Sequence, residues 1–162
     1  MLGRTHLVAG AIAGEAMAAA GHAGLLGLAV GAALGMGSAW LPDIDMAGAG
    51  ISRALPLGRL PSRLLKHRGP THSLGALALY ALLWSRWAGP AFHFAPYAVG
   101  AAVAGYATHL VLDALSGGVE WLWPLFRRPV GVRMVRTGGA LERSAVYPVL
   151  LAVLFWCSWR WR

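Results

Sequence analysis

Five apolar runs cut by two basic loops constrain this chain more than any motif does. The runs cover residues 5–20, 23–41, 71–88, 96–115 and 145–159. Each spans about 15–20 residues, close to the length that crosses a ~30 Å hydrocarbon core. The intervening segments 42–70 and 116–144 hold five Lys or Arg each. Composition agrees. The chain is 57% hydrophobic and 12% charged, where soluble domains average about 25% charged. Gly27, Gly31 and Gly35 recur every fourth residue, so one face of the second run can approach another helix closely. The pattern predicts an all-α fold: a polytopic membrane helix bundle of about five (four to five) transmembrane helices. Residues 1–162 read as a single integral-membrane domain.

Orientation follows from charge. The turns at Ala20–Gly24 and Gly89–Pro96 contain no Lys or Arg. The positive-inside rule therefore makes 42–70 and 116–144 two long basic cytoplasmic loops, with Arg4 and the N-terminus on that side. Five helices put the C-terminus outside, against the pull of Arg160 and Arg162. Arg4, the apolar stretch 7–14 and the small residues 16–20 share the outline of a signal peptide. Glu15 interrupts that stretch, and the expectation is a retained first helix. A short interfacial helix is expected near Leu60–Lys66, and the alternation over Val130–Thr137 allows a hairpin. The formal net charge of +8 reads as topology, because the cations flank apolar runs; nucleic acid is not the first choice of partner. The one cysteine, Cys157, allows no internal disulfide.

Placed on this topology, the few polar residues converge. His6 opens the first helix. Asp43 and Asp45 follow the second, His67 and His72 precede the third, and His109 and Asp113 close the fourth. Glu142 precedes the fifth. All eight fall at the cytoplasmic end, whereas His22 and His93 fall at the other. Ionisable groups at a membrane are costly and mark function. His109 and Asp113 are i, i+4 and share a helix face. Asp43-Ile44-Asp45 offers two carboxylates on a bent loop, and Gly69-Pro70 separates His67 from His72 so that both rings can turn inward. A mixed His/carboxylate set suits a divalent transition metal, with zinc first and manganese or iron as alternatives. The donors suffice for one to three ions.

Bland roles compete at each position. His6 alone reads as an interfacial residue. Asp43 and Asp45 read as a helix C-terminal turn, although the helix dipole disfavours carboxylates there. Thr71 or Ser73 reads as an N-cap, with Thr71 the first choice. His109 and Asp113 read as a hydrogen-bonded pair, and Glu120 as a solvated loop residue. Glu15 either pairs with a neighbouring helix or reaches the site. The arginines set topology, yet Arg68, Arg133 and Arg136 can also hold a phosphate bidentately.

Thr5-His6 with Gly10, Leu41-Pro42-Asp43-Ile44-Asp45, His67 through Ser73, Gly105-Tyr106 with His109-Leu110 and Asp113, and Gly138 with Glu142 together resemble the YdjM family of bacterial and archaeal inner-membrane proteins. The resemblance implies a membrane-bound, metal-dependent hydrolase in the cytoplasmic membrane. It also implies that His6, Asp43, Asp45, His67, His72, His109, Asp113 and Glu142 form its polar signature. The order of ligands is similar to that of zinc-dependent phospholipase C, which points to phosphoester chemistry. The expected reaction is cleavage of a phosphoester, with a phospholipid or lipid phosphate as candidate, by metal-activated water. Arg68 would neutralise the phosphate, and Asp45 or Glu142 would act as general base. Membrane lipids are the expected partners. Two other readings compete, a metal-ion transporter or sensor and a non-catalytic membrane scaffold.

Overall fold

The computed structural model describes residues 1–54, 60–88, 91 and 96–161, and it is all-helical with no strand among them. Helix α1 spans Gly3–Ala20 and α2 spans Leu25–Trp40. A 3-10 turn, Leu41–Asp45, continues α2 without a break. Two short helices follow, α3 (Gly50–Ala54) and α4 (Pro61–Leu64), the latter inside the expected interfacial stretch. A second 3-10 turn, Pro70–His72, leads into α5 (Leu74–Leu83), which runs on as a π-turn over Trp84–Ala88. Helix α6 spans Tyr97–Ser116. A π-turn at Glu142–Val146 opens α7, Tyr147–Arg160. Each expected apolar run therefore contains a helix. His93, Pro56 and most of the Gly89–Pro96 turn lie outside the described residues.

Packing is inverted relative to a soluble bundle. The buried apolar residues are mostly small, including Ala9, Ala11, Ala18, Ala39, Ala98, Ala101 and Ala102. Large ones point outward: Leu79 and Leu82 on α5, and Phe155, Trp156 and Trp159 on α7 are exposed. Hydrocarbon outside the bundle makes that arrangement favourable, since lipid tails solvate Leu and Phe while tight backbone contact holds the helices. Two segments, Leu25–Asp45 and Tyr97–Ser116, are long and apolar enough to cross a membrane.

Glycine makes the central contact. A Cβ on Gly14 would lie 1.9 Å from the Gly31 carbonyl oxygen, and one on Gly35 would lie 2.1 Å from that of Gly10. A Cβ on Gly105 would sit 2.1 Å from the Gly35 oxygen. Helices α1, α2 and α6 thus meet backbone to backbone around Gly35. Gly31 and Gly35 serve this seam, while Gly27 faces the Tyr97 ring instead.

The basic loop 116–144 takes a different form from the expected hairpin. Val130 pairs back onto Val119 as an isolated antiparallel bridge. Val132 and Met134 donate to the carbonyls of Ala114 and Leu115 at the end of α6. The α6 terminus has unpaired carbonyls to satisfy, and they outcompete a partner strand. Gly138, at φ 68°, forms a turn just beyond this stretch.

Candidate metal centre

One end of the bundle gathers the start of α1, the end of α2, the start of α5, the end of α6 and the approach to α7. The local backbone explains how the side chains arrive there. A 3-10 turn advances about 120° per residue, so Asp43 and Asp45 point in different directions. Ser52 steadies this turn by donating to the carbonyls of Asp43 and Ile44, at 3.4 and 3.2 Å. Asp43 faces α6, where its Oδ1 is 3.7 Å from His109 Nε2. Asp45 faces the His67–His72 loop.

Asp45 is fully engaged there. Its Oδ1 lies 2.8 Å from His67 Nδ1. Its Oδ2 accepts from the Arg68 amide at 3.1 Å and the Thr71 hydroxyl at 2.5 Å, and lies 3.2 Å from His72 Nδ1. A carboxylate offers about four lone-pair sites, so little of Asp45 is left for substrate. Thr71, expected to cap α5, serves this carboxylate instead. Ser73 is the cap, accepting from the Ala76 amide at 3.1 Å.

The imidazoles are oriented from behind. His109 Nδ1 is 2.7 Å from the Ala39 carbonyl oxygen. A carbonyl only accepts, so Nδ1 carries the proton and the Nε2 lone pair points inward. His72 has its Nδ1 against Asp45, which leaves its Nε2 inward as well. These two Nε2 atoms are 3.0 Å apart. Asp113 Oδ2 lies 3.6 Å from His72 Nε2 and 3.8 Å from His109 Nε2. His6 stacks on His109 with ring centroids 3.8 Å apart, and its Nε2 is 3.2 Å from Asp113 Oδ1. Among the described residues His6 Nδ1 is buried with no hydrogen-bond partner, while its Nε2 has the Asp113 contact. An orphaned imidazole nitrogen in a buried cluster is costly unless something else satisfies it.

Three overlapping groups have ligand atoms within 4.8 Å of one another: His6–His109–Asp113, Asp43–His72–His109 and Asp45–His67–His72. Donor atoms about 2.0–2.2 Å from one ion are separated by at most about 4.4 Å. The separations of 3.0, 3.2, 3.6, 3.7 and 3.8 Å among His6, Asp43, His72, His109 and Asp113 fall inside that limit, and with the unpartnered His6 Nδ1 and the mixed N/O donors they fit a metal ion.

Arg68 adopts φ 63°, a left-handed conformation that is uncommon outside glycine. That turn sends its amide to Asp45 and its side chain to α6, with Nε 2.9 Å from Asp113 Oδ2 and Nη2 donating to Ser116 Oγ at 3.1 Å. The Met1 amino group also contacts Asp113 Oδ1.

Glu142 is not brought into any of the three groups. Its Oε1 accepts from the Leu2 amide and the Thr5 hydroxyl, both at 2.7 Å, and its Oε2 from the Gly138 amide at 2.6 Å. Burial pushes this carboxyl up, but those three donors outweigh it and hold it below the usual range. Glu142 thus ties the start of α1 to the Gly138 turn. Glu120, expected to be solvated, is 2% exposed and pairs with Lys66 at 2.5 Å. Glu15 receives the Ser158 hydroxyl at 2.8 and 3.0 Å, well removed from the cluster in sequence and contacts.

Two large cavities flank the cluster. An apolar groove of about 510 Å³ is lined by Ile44, Leu79, Tyr80, Trp123 and others, but by none of the clustered His or Asp residues. The second, about 470 Å³, is lined by Asp43, His67, Arg68 and Asp113 together with Arg4 and Arg53. Of these two, only the second borders the cluster, through Asp43, His67 and Asp113. Arg133 and Arg136 line neither cavity. Arg4 on α1 and Arg53 on α3 line the second cavity, and nothing in their spacing in the sequence signals that they meet there.

An all-helical bundle with small residues inside, apolar residues outside and a buried His/Asp cluster at one end is a helical membrane-type protein with a candidate metal centre. The chain belongs to the YdjM inner membrane protein family, whose model matches residues 1–162. It is 36% identical over 126 residues to the inner membrane protein YdjM of Escherichia coli (strain K12), covering 74% of this chain and 60% of that protein. The same figures hold for inner membrane protein YdjM of Shigella flexneri. The chain thus spans about 60% of the length of these curated relatives. No solved structure matches. Family membership and the two apolar helices support an inner-membrane location.

Proposed function

We propose that this protein is a metal-dependent hydrolase that cleaves a phosphoester at the cytoplasmic membrane surface. One observation carries the reading: two inward-facing imidazole Nε2 atoms, 3.0 Å apart, each backed at its Nδ1 and flanked by Asp43 and Asp113. Backing of this kind fixes the tautomer of a metal-binding histidine. His6, His72, His109, Asp43 and Asp113 would hold the ion or ions, with zinc first and manganese or iron as alternatives. A divalent ion bound there supplies Lewis-acid polarisation of a phosphoryl oxygen and lowers the pKa of water.

The chain's own residues do the rest. Arg68 reaches the cavity with its guanidinium already aimed at the cluster, and it can neutralise a phosphate oxygen. Where Asp113 and the histidines hold the ion without Asp43, Asp43 is the acid best placed to take a proton. Its carboxylate has no hydrogen-bond donor among the described residues and faces the cavity. Asp45 holds His67, Thr71 and His72 in position. Glu142 supports the start of α1, on which His6 is mounted.

Transport is the weaker reading. A transport path needs polar groups through the membrane interior, yet Thr108 donates to its own helix at Gly105, Tyr106 to Thr71, and Ser158 to Glu15. Each of these groups is bonded to a near neighbour, and Glu15 with Ser158 stands apart from the Ser38–Tyr80 and Tyr106–Thr71 contacts. A phosphoester screen with zinc-loaded protein tests hydrolysis directly. Turnover abolished by His72→Ala supports it, and metal uptake into proteoliposomes without turnover overturns it.

A further inference from the structure

All six acids of this chain are buried. Glu15, Asp45 and Glu142 are bonded inward, Glu120 holds the exposed Lys66, and Asp43 and Asp113 line the site cavity. Apart from Lys66, paired with Glu120, and Arg68, paired with Asp113, the exposed surface at this end carries cations without carboxylate counterparts. Among the described residues no carboxylate lies within ion-pair distance of Arg4, Arg53 or Arg143. Arg4, on the first turn of α1, and Arg53, on the last turn of α3, both line the cavity that opens on the cluster. Arg4 also lines an adjoining cavity with Arg143.

Arg4 is held in a particular way. Its guanidinium lies 4.6 Å over the Tyr147 ring. Stacking engages the face of the planar group and leaves its N–H edge available, which is the edge that matches phosphate oxygens. Unpaired cations at the mouth of a low-dielectric cavity also concentrate anions there.

We propose that Arg4 and Arg53 form an anion-binding rim over the candidate metal centre, selecting a ligand whose phosphate carries more than one negative charge. That class is a phosphomonoester or diphosphate, free or on a lipid, and it excludes a zwitterionic phosphodiester. The inference deepens the phosphoester reading of the same cavity. It assigns recruitment and charge selection to residues separate from Arg68, which faces the cluster itself.

The test uses the full chain in neutral detergent, with and without zinc. Pyrophosphate binding by calorimetry probes the free-anion source. Capture on phosphatidylcholine vesicles, with and without a phosphomonoester lipid, probes the lipid source. Arg4→Gln and Arg53→Gln are each expected to weaken binding at least about tenfold in whichever arm the wild type binds. Zinc content should not change. The exposed control Arg127→Gln/Arg128→Gln should leave binding intact. Equal weakening by the control, or no weakening by either rim variant, overturns the rim. Pyrophosphate binding that needs zinc but ignores Arg4 and Arg53 overturns it while leaving the metal centre standing. Arg53-dependent binding by a protein that takes up no zinc upholds the rim and sinks the metal reading.

Discussion

Asp45 and His72 are joined at 3.2 Å, carboxylate to Nδ1, and this contact determines what the opposite ring nitrogen can do. With Nδ1 held between Asp45 and the Thr71 hydroxyl, 3.0 Å away, the His72 Nε2 turns to His109 across 3.0 Å. The same carboxylate also receives the Arg68 amide and the Thr71 hydroxyl. One side chain therefore shapes the whole His67–His72 loop.

Asp45→Asn should accordingly reduce metal affinity about 10–100-fold without abolishing it, as loss of an outer-sphere partner does. Competition against a chromophoric chelator measures this. A loss as complete as that of His72→Ala would instead make Asp45 a direct ligand.

Gly35→Ala should damage the bundle rather than the site. The added carbon would meet the Gly10 carbonyl oxygen at 2.1 Å and Gly14 backbone atoms at 2.9 Å. Backbone cannot swing aside as a side chain can, so α1 and α2 must separate. The expected cost is about 1–3 kcal/mol or more, read as a lower unfolding temperature in detergent. Gly37→Ala is the control, since a Cβ there meets nothing within 4 Å.

Glu142→Gln tests a structural role and its pH dependence. The wild-type carboxyl is held below its ordinary value of 4.5 in the folded state. Its contribution is therefore present above the unfolded carboxylate pKa and fades as pH falls through the lower folded one. Glutamine keeps an acceptor for Leu2 and Thr5 but turns an N–H toward the Gly138 amide. Stability at neutral pH should fall by about 1–3 kcal/mol, and the acid-side slope of an unfolding titration should flatten. Loss of bound metal with no change in stability would make Glu142 a ligand after all.

The sequence made the helices and the convergence legible, and the physics explains both. Hydropathy counts the runs, and charge asymmetry decides which helix ends share a face, so the gathering of His6, Asp43, His72, His109 and Asp113 at one end of the bundle is legible without contact information. The finer roles depend on backbone detail that spacing does not encode. Asp43 and Asp45 look equivalent in sequence, and only the 3-10 turn separates them. Thr71 and Ser73 are both reasonable caps; the choice hangs on a carboxylate from another helix. Glu142 shares the membrane face of the candidate ligands, and its carboxylate accepts from the backbone amides of Leu2 and Gly138, contacts that spacing does not encode. Arg4 and Arg53 gave no signal, since a lone arginine beside an apolar run reads as topology.

The central claim is that this cluster holds metal. Elemental analysis of protein purified in detergent after growth with supplemented zinc, without added chelator, tests it most directly. The expected result is one to three transition-metal ions per chain, lost in His72→Ala/His109→Ala while the helical content is retained. A wild-type protein that is folded and free of stoichiometric transition metal, or a double variant that keeps its full complement, would contradict the account.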